Sequence, residues 1–219
     1  MNMSKGRLEA FSDGVLAIII TIMVLEMSAP DGNSWSDLAG LVPTFLGYLI
    51  SYVYIGIYWV NHHRLIAAAK EISGRTLWSN LLWMFCVSLI PFATSWTSKA
   101  GFGEVPGLLY SIILLVSALA YHVLVLSVYR ANGRKATLMS VLCGERISLI
   151  TVIGYAAAMP LSYYFPVASY ILYVVIAVLW IFPNIGSKEK TSDSSKTFDS
   201  SKTFDSSKTS DSSKPFDLN

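Results

Sequence analysis

The chain has 219 residues, 53% of them hydrophobic and 14% charged, with a net charge of +2 and a mean hydropathy of +0.53. Soluble domains carry about a quarter charged residues, so the composition excludes a soluble globular domain. It fits an integral membrane protein with no nucleic-acid partner. The total charge says little, but its distribution along the chain says more.

Six apolar runs, at about 8–27, 38–61, 76–97, 106–129, 146–165 and 167–183, are long enough to cross a bilayer core, which takes about 20 helical residues. They predict an all-α polytopic fold with six transmembrane helices within 1–186. The first run is too long for a cleavable signal and lacks a small-residue cleavage site, so it reads as a span. Only Tyr163-Tyr-Phe-Pro166 separates the last two runs, which therefore read as two short helices joined by a tight turn. Pro43 falls near the start of the second span, where a missing N–H costs little. Pro91 and Pro160 fall inside the third and fifth, where each is a candidate kink.

The polar connections set the orientation. Lys5 and Arg7 precede the first span. Arg64, Lys70 and Arg75 follow the second, and Arg130, Arg134, Lys135 and Arg146 follow the fourth. The alternate connections hold Glu26, Asp31 and Asp37, then Lys99 and Glu104, then no charge. Basic residues concentrate in cytosolic loops, so this multi-pass cell-membrane protein is predicted to keep both termini in the cytosol. Trp35, Trp59, Trp78, Trp96, Tyr163, Tyr164 and Trp180 lie near span ends as an interfacial belt.

From about Ser187 the composition changes. Asp193-Ser-Ser-Lys-Thr-Phe198 recurs from Asp199, Asp205 and Asp211 with small changes. Such a polar, charge-balanced repeat cannot build a core, so 187–219 is expected to be a disordered cytosolic tail. Cys86 lies in an apolar run and Cys143 in a polar connection, at different depths. Neither has a metal-ligand partner at suitable spacing, and both read as packing residues.

The first span carries the most information. It opens with Arg7, Glu9, Ser12 and Asp13 and then turns almost purely aliphatic. A charge in hydrocarbon costs about 2.5–3.5 kcal/mol on insertion scales, so these polar groups need a reason. At 100° per residue, Phe11, Gly14, Ile18, Thr21, Ile22 and Leu25 share one stripe, and Asp13 points roughly 140° away from Ile18. Asp13 is therefore expected to face a neighbouring helix.

Arg7-x-x-x-Phe11-Ser12-Asp13-Gly14, followed by Ala17-Ile-Ile-Ile-Thr21-Ile, resembles the prokaryotic branch of the transmembrane protein 175 family, the lysosomal-type potassium channels. An Arg and a Ser-Asp pair at this spacing inside a span make the motif specific; span count and a His-rich end to the second span agree with it. The resemblance implies a homotetramer whose first helices line one pore. It also implies stacked aliphatic constrictions at Ile18, Ile22 and Leu25, with Thr21 supplying a hydroxyl that favours potassium. The chain lacks the Thr-Val-Gly-Tyr-Gly filter, so its pore would gate by dewetting and prefer potassium modestly, because that ion sheds water more readily than sodium. The permeant potassium ion and membrane lipid are the expected ligands, with no cofactor.

Arg7, Ser12 and Asp13 read as a structural polar network with the stretch Trp59-Val-Asn61-His62-His63-Arg64. The resemblance implies one histidine in that network and leaves open whether it is His62 or His63. A histidine titrates near pH 6.5, so pH sensing is one role for it. Adjacent histidines on a helix point about 100° apart and make a weak metal site. His122 reads as a hydrogen-bonded interhelical residue. Glu26, Asp31 and Asp37 read equally as an acidic vestibule or as a solvated loop. No nucleotide-binding loop, nucleophile elbow, zinc motif or pair of carboxylates at enzymatic spacing is present, which disfavours an intramembrane enzyme. The function expected is passive, potassium-selective conduction. The alternatives are a proton-coupled secondary transporter using Asp13 and the histidines, for which no repeat of two halves is visible, and a non-conducting scaffold acting through the tail.

Overall fold

The computed structural model describes residues 4–132 and 145–181, the side chains of 145–148 excepted. Arg134, Lys135, Cys143, the Arg146 side chain and the repeat tail lie outside the described residues. Every regular element among those described is a helix. They are α1 (Lys5–Leu25), α2 (Trp35–Ala39), α3 (Val42–Ala68), α4 (Gly74–Ser88), α5 (Ile90–Lys99), α6 (Glu104–Asn132), α7 (Glu145–Tyr164) and α8 (Pro166–Ile181).

Among the described residues four runs are long and apolar enough to cross a membrane: α1, α3, the broken pair α4–α5, and α6. The fifth and sixth apolar runs form the shorter helices α7 and α8, with only Phe165 between them. α2 was not expected from the hydropathy pattern. Its sequence signal is the capping box Ser34-x-x-Asp37, in which the Ser34 side chain accepts from Asp37 N and the Asp37 side chain accepts from Ser34 N. This short helix takes residues expected in the second span, so α3 begins at Val42 with Pro43 in its first turn. α3 then continues beyond 61 to Ala68, and His62, His63 and Arg64 lie inside the helix rather than at its end.

The third span is interrupted at Leu89. Pro91 has no N–H for Val87 O, Phe85 O accepts from Ser88 Oγ, and Leu89 N bonds to Cys86 O at 3.2 Å, so the α-helical ladder lapses here. Pro160, by contrast, sits inside a helix that runs on unbroken. α5 closes with paired C-terminal bonds, Gly101 N to Ser98 O at 3.3 Å and Phe102 N to Thr97 O at 2.9 Å. These bonds need Gly101 at φ 63° and hold Phe102 at φ 60°. The Phe102 ring stands edge-on to Tyr170 of α8, with ring centres 4.8 Å apart, which secures an unfavourable backbone.

α6 packs against α4, α5 and α7, and α8 packs on α7 and α3. α1 lies at the edge, against α3, α4 and α5. The interior is rich in hydroxyls as well as apolar groups. Ser51 Oγ lies 2.7 Å from Thr94 Oγ1 and 2.8 Å from Tyr110 Oη. Tyr54 donates to Tyr173 O at 2.6 Å, and Ser111 lies 2.9 Å from Ser162 Oγ. Polar groups buried between apolar helices must bond to one another, and here they join α3, α5, α6, α7 and α8.

Two contacts gather the ends of the helices that carry the basic connections. Lys5 donates to Ala67 O at 2.7 Å and Ala69 O at 3.2 Å, so a cation sits on the negative end of α3. Asn132 accepts from Lys70 N and Glu71 N at 2.7 and 2.9 Å and donates to Glu71 O at 3.0 Å. The α3–α4 connection is thus fixed to α1 and to the end of α6.

Candidate functional site

α1 has two unlike faces. Leu8, Ser12, Leu16, Ile19 and Met23, spaced by three and four residues, are buried against the neighbouring helices. Phe11, Gly14, Ile18, Thr21, Ile22 and Leu25 all lie on the face that the other described residues leave open. Ile18, Ile22 and Leu25 are 58%, 42% and 78% exposed. A side chain added at Gly14 would meet nothing within 4 Å. Thr21 Oγ1 donates to Ile18 O at 2.8 Å. Its hydrogen is therefore committed to its own helix, and its lone pairs are what the open face offers. Such an oxygen suits a cation.

Behind this face lies a buried polar chain. Ser12 Oγ donates to Leu8 O at 2.9 Å and accepts from Asn80 Nδ2 at 2.9 Å. Asn80 Oδ1 lies 2.8 Å from His62 Nε2. The directions follow from the partners. The Ser12 hydrogen is committed to Leu8 O, so Ser12 receives the Asn80 amide N–H, and Asn80 turns its oxygen to His62, whose Nε2 carries a hydrogen. All three side chains are fully buried. The His62 ring stacks on Trp83, centres 4.9 Å apart and 13° from parallel. His62 Nδ1 is buried without a partner among the described residues.

A second, more exposed pair of contacts joins α1 to α3. Trp59 Nε1 donates to Asp13 Oδ1 at 3.0 Å. His63 Nδ1 lies 2.9 Å from Glu9 Oε1. Glu9 and Asp13 are one turn apart on α1, as Trp59 and His63 are on α3. The Trp59 and His63 rings stack at 6.1 Å. Both histidines therefore reach α1: His62 through Asn80 to Ser12, His63 directly to Glu9. Arg7 is exposed, and its guanidinium makes no polar contact with another described residue. The sequence marks Glu9 as a polar group of the first span without assigning it a partner, and it does not single out Asn80. A lone Asn within the third apolar run was the available signal for Asn80, because an amide in a span requires a partner.

At the opposite end of α1, Glu26 Oε2 accepts from Ser95 Oγ at 2.9 Å and pairs with Lys99 Nζ at 3.3 Å. Asp37 is held in the α2 capping box. Asp31 is exposed. His122 Nδ1 lies 2.9 Å from Ala118 O, one turn back on α6. Cys86 is buried. Among the described residues no group of three His, Cys, Asp or Glu side chains is placed to hold a metal ion.

Residues 7–91 match the family described as endosomal/lysosomal potassium channel TMEM175. A potassium channel of a Chryseobacterium species is 42% identical over 182 residues, covering 83% of this chain and 95% of that one. The human endosomal/lysosomal proton channel TMEM175 is 32% identical over 108 residues, 44% of this chain and 21% of that one. The crystal structure of a lysosomal potassium-selective channel TMEM175 homologue from Chamaesiphon minutus superimposes with a TM-score of 0.74 at 27% identity, covering 83% of this chain and 98% of that one.

Proposed function

This chain belongs to the TMEM175 channel family, and on that premise we propose that it is a potassium-selective cation channel that conducts passively. The observation carrying this reading is the division of α1. One face is fastened to α3 and α4 by Ser12, Asp13 and Glu9, and the other leaves Ile18, Thr21, Ile22 and Leu25 exposed among the described residues. One helix cannot enclose a pore. The functional unit is therefore a homo-oligomer, a tetramer in this reading, with the α1 helices around the axis and the other helices outside.

Ile18, Ile22 and Leu25 form successive aliphatic rings, and Thr21 supplies the oxygens between them. A ring without oxygen atoms holds back a fully hydrated ion and gates by dewetting. It favours the ion that gives up water more easily, which is potassium. Ser12, Asp13, His62 and His63 position the pore helix rather than contact the ion, and Arg7 stands exposed at its start. In the same reading all six apolar runs span the membrane, both termini are cytosolic, and 187–219 is a disordered tail not needed for conduction.

The test is the reversal potential of the purified protein in planar bilayers with potassium on one side and sodium on the other. A reversal shifted toward the potassium equilibrium potential supports the reading. A reversal near zero removes the selectivity. Flux that appears only with a coupled proton gradient replaces the channel by a transporter.

A further inference from the structure

Leu25 is the last residue of the open stripe, and Glu26 follows it. The Glu26 N–H still bonds to Ile22 O at 3.1 Å, so its carboxylate is set by the end of the helix. That carboxylate is not free. Ser95 Oγ donates to it and Lys99 Nζ stands 3.3 Å away, both from α5, beyond the break at Leu89. Lys99 is the one cation in the connections at this end of α1, and Glu26 and Lys99 form one of two ion pairs among the described residues. Both side chains are about half exposed, so they meet the same water from which ions would enter.

We propose that Glu26, Ser95 and Lys99 form a tether at the mouth of the pore, in which Glu26 positions Leu25 and Lys99 cancels the Glu26 charge toward incoming cations. This rests on the pore reading of α1. The pair makes two demands that a bare acidic ring would not. The outer end of α1 follows α5, because Ser95 and Lys99 are one turn apart on the same short helix. And Glu26 itself adds little to the potential of the mouth, because its carboxylate is matched by an ammonium, which leaves Asp31, Asp37 and Glu104 as the other carboxylates of these connections. Without Lys99, a carboxylate beside each Leu25 would draw cations in. Without Glu26, an unmatched ammonium would repel them. Fields of this kind reach about 10 Å at 0.1 M salt and farther in dilute salt.

The experiment compares single-channel potassium conductance for ions entering from the Glu26 side in wild type, Lys99→Gln, Glu26→Gln and the double variant, in dilute and in concentrated potassium chloride. In dilute salt Lys99→Gln is expected to raise the conductance by about twofold or more. Glu26→Gln lowers it, the double variant returns near wild type, and all four converge in concentrated salt. The exchanged pair Glu26→Lys with Lys99→Glu keeps the charges at 26 and 99 matched, and its conductance is expected to lie nearer wild type than that of either single variant. Wild-type current with both single variants unchanged in dilute salt overturns the tether alone. Equal losses in both single variants that persist in concentrated salt overturn the electrostatic role. Absence of wild-type potassium current overturns the pore reading and the tether with it.

Discussion

Asn80 donates to Ser12 across the contact between α4 and α1, at 2.9 Å and with both side chains fully buried. The same amide satisfies His62 through its oxygen. Asn80→Ala therefore removes two interhelical bonds and leaves a buried imidazole N–H without an acceptor. Interhelical bonds in membrane proteins average about 0.6 kcal/mol, and a buried orphan costs about 1–3 kcal/mol. The expected loss is about 2 kcal/mol for Asn80→Ala and about 1–2 kcal/mol for Ser12→Ala, which removes one interhelical bond and leaves an Asn80 amide N–H without its acceptor. Thermal unfolding of the detergent-solubilised protein checks both.

The open face of α1 makes a different prediction. In the proposed pore Ile18→Asn would put an amide into the first aliphatic ring, so leak current should rise and potassium preference fall while thermal stability stays near wild type, because Ile18 contributes little to the packed side. Thr21→Val keeps the shape and removes the oxygen. Its one hydrogen bond is to its own helix, so the helix tolerates the change and only selectivity should fall. Reversal potentials in mixed potassium and sodium, read beside unfolding curves, separate these outcomes.

Gly107 tests how closely α6 meets α7 and α8. A Cβ there would stand 3.1 Å from Tyr170 Oη and 3.5 Å from Ser162 Cβ. Alanine recovers about 1 kcal/mol of helix propensity, which roughly offsets the slight crowding. Gly107→Ala is expected within about 1 kcal/mol of wild type. Gly107→Leu has no such space and should cost about 3 kcal/mol or more. Unfolding midpoints of the two variants measure the difference.

The Glu26 contact should also be visible in pH dependence. The Ser95 hydroxyl, and after it Lys99, hold the Glu26 carboxyl below the usual glutamate range. A depressed value in the folded state means the contribution is complete above the ordinary range and is lost as the pH falls through the depressed value. The thermal midpoints of wild type and Glu26→Gln should therefore differ slightly at neutral pH and converge in acid. The difference is small because both partners are exposed. A pH series of unfolding curves detects it.

Much of α1 could be read in advance because its pattern is local. An aliphatic run with period 3.6 places Ile18, Ile22 and Leu25 on one side and Leu16, Ile19 and Met23 on another, whatever the rest of the chain does. Pro91 marked the third span as a candidate for a break, but Pro160 carries the same missing N–H in a helix that runs on unbroken, so that signal alone does not tell the two apart. The interior contacts were not legible in this way. Asn80 meets partners 68 and 18 residues away, and a single amide in an apolar run has no period to announce which helix it will face. The two adjacent histidines could not be divided between roles until the rotation of α3 was known. α2 escaped notice because hydropathy reports the depth of a segment, whereas a five-residue helix is defined by its cap.

The hydroxyl-rich face of α3 has a consequence for how the protein is made. Gly47, Ser51, Tyr54, Tyr58 and His62 all lie on the buried side of this helix, and α3 is the least apolar of the four long spans. Such a segment partitions only weakly into lipid by itself. α1 precedes it in synthesis, is strongly apolar and carries Glu9 and Asp13 as ready partners for His63 and Trp59. α4 follows with Asn80 for His62. Insertion of α3 is thus assisted by a helix already in the bilayer and completed by the next to arrive, so the order of translation is also the order in which its polar groups find partners.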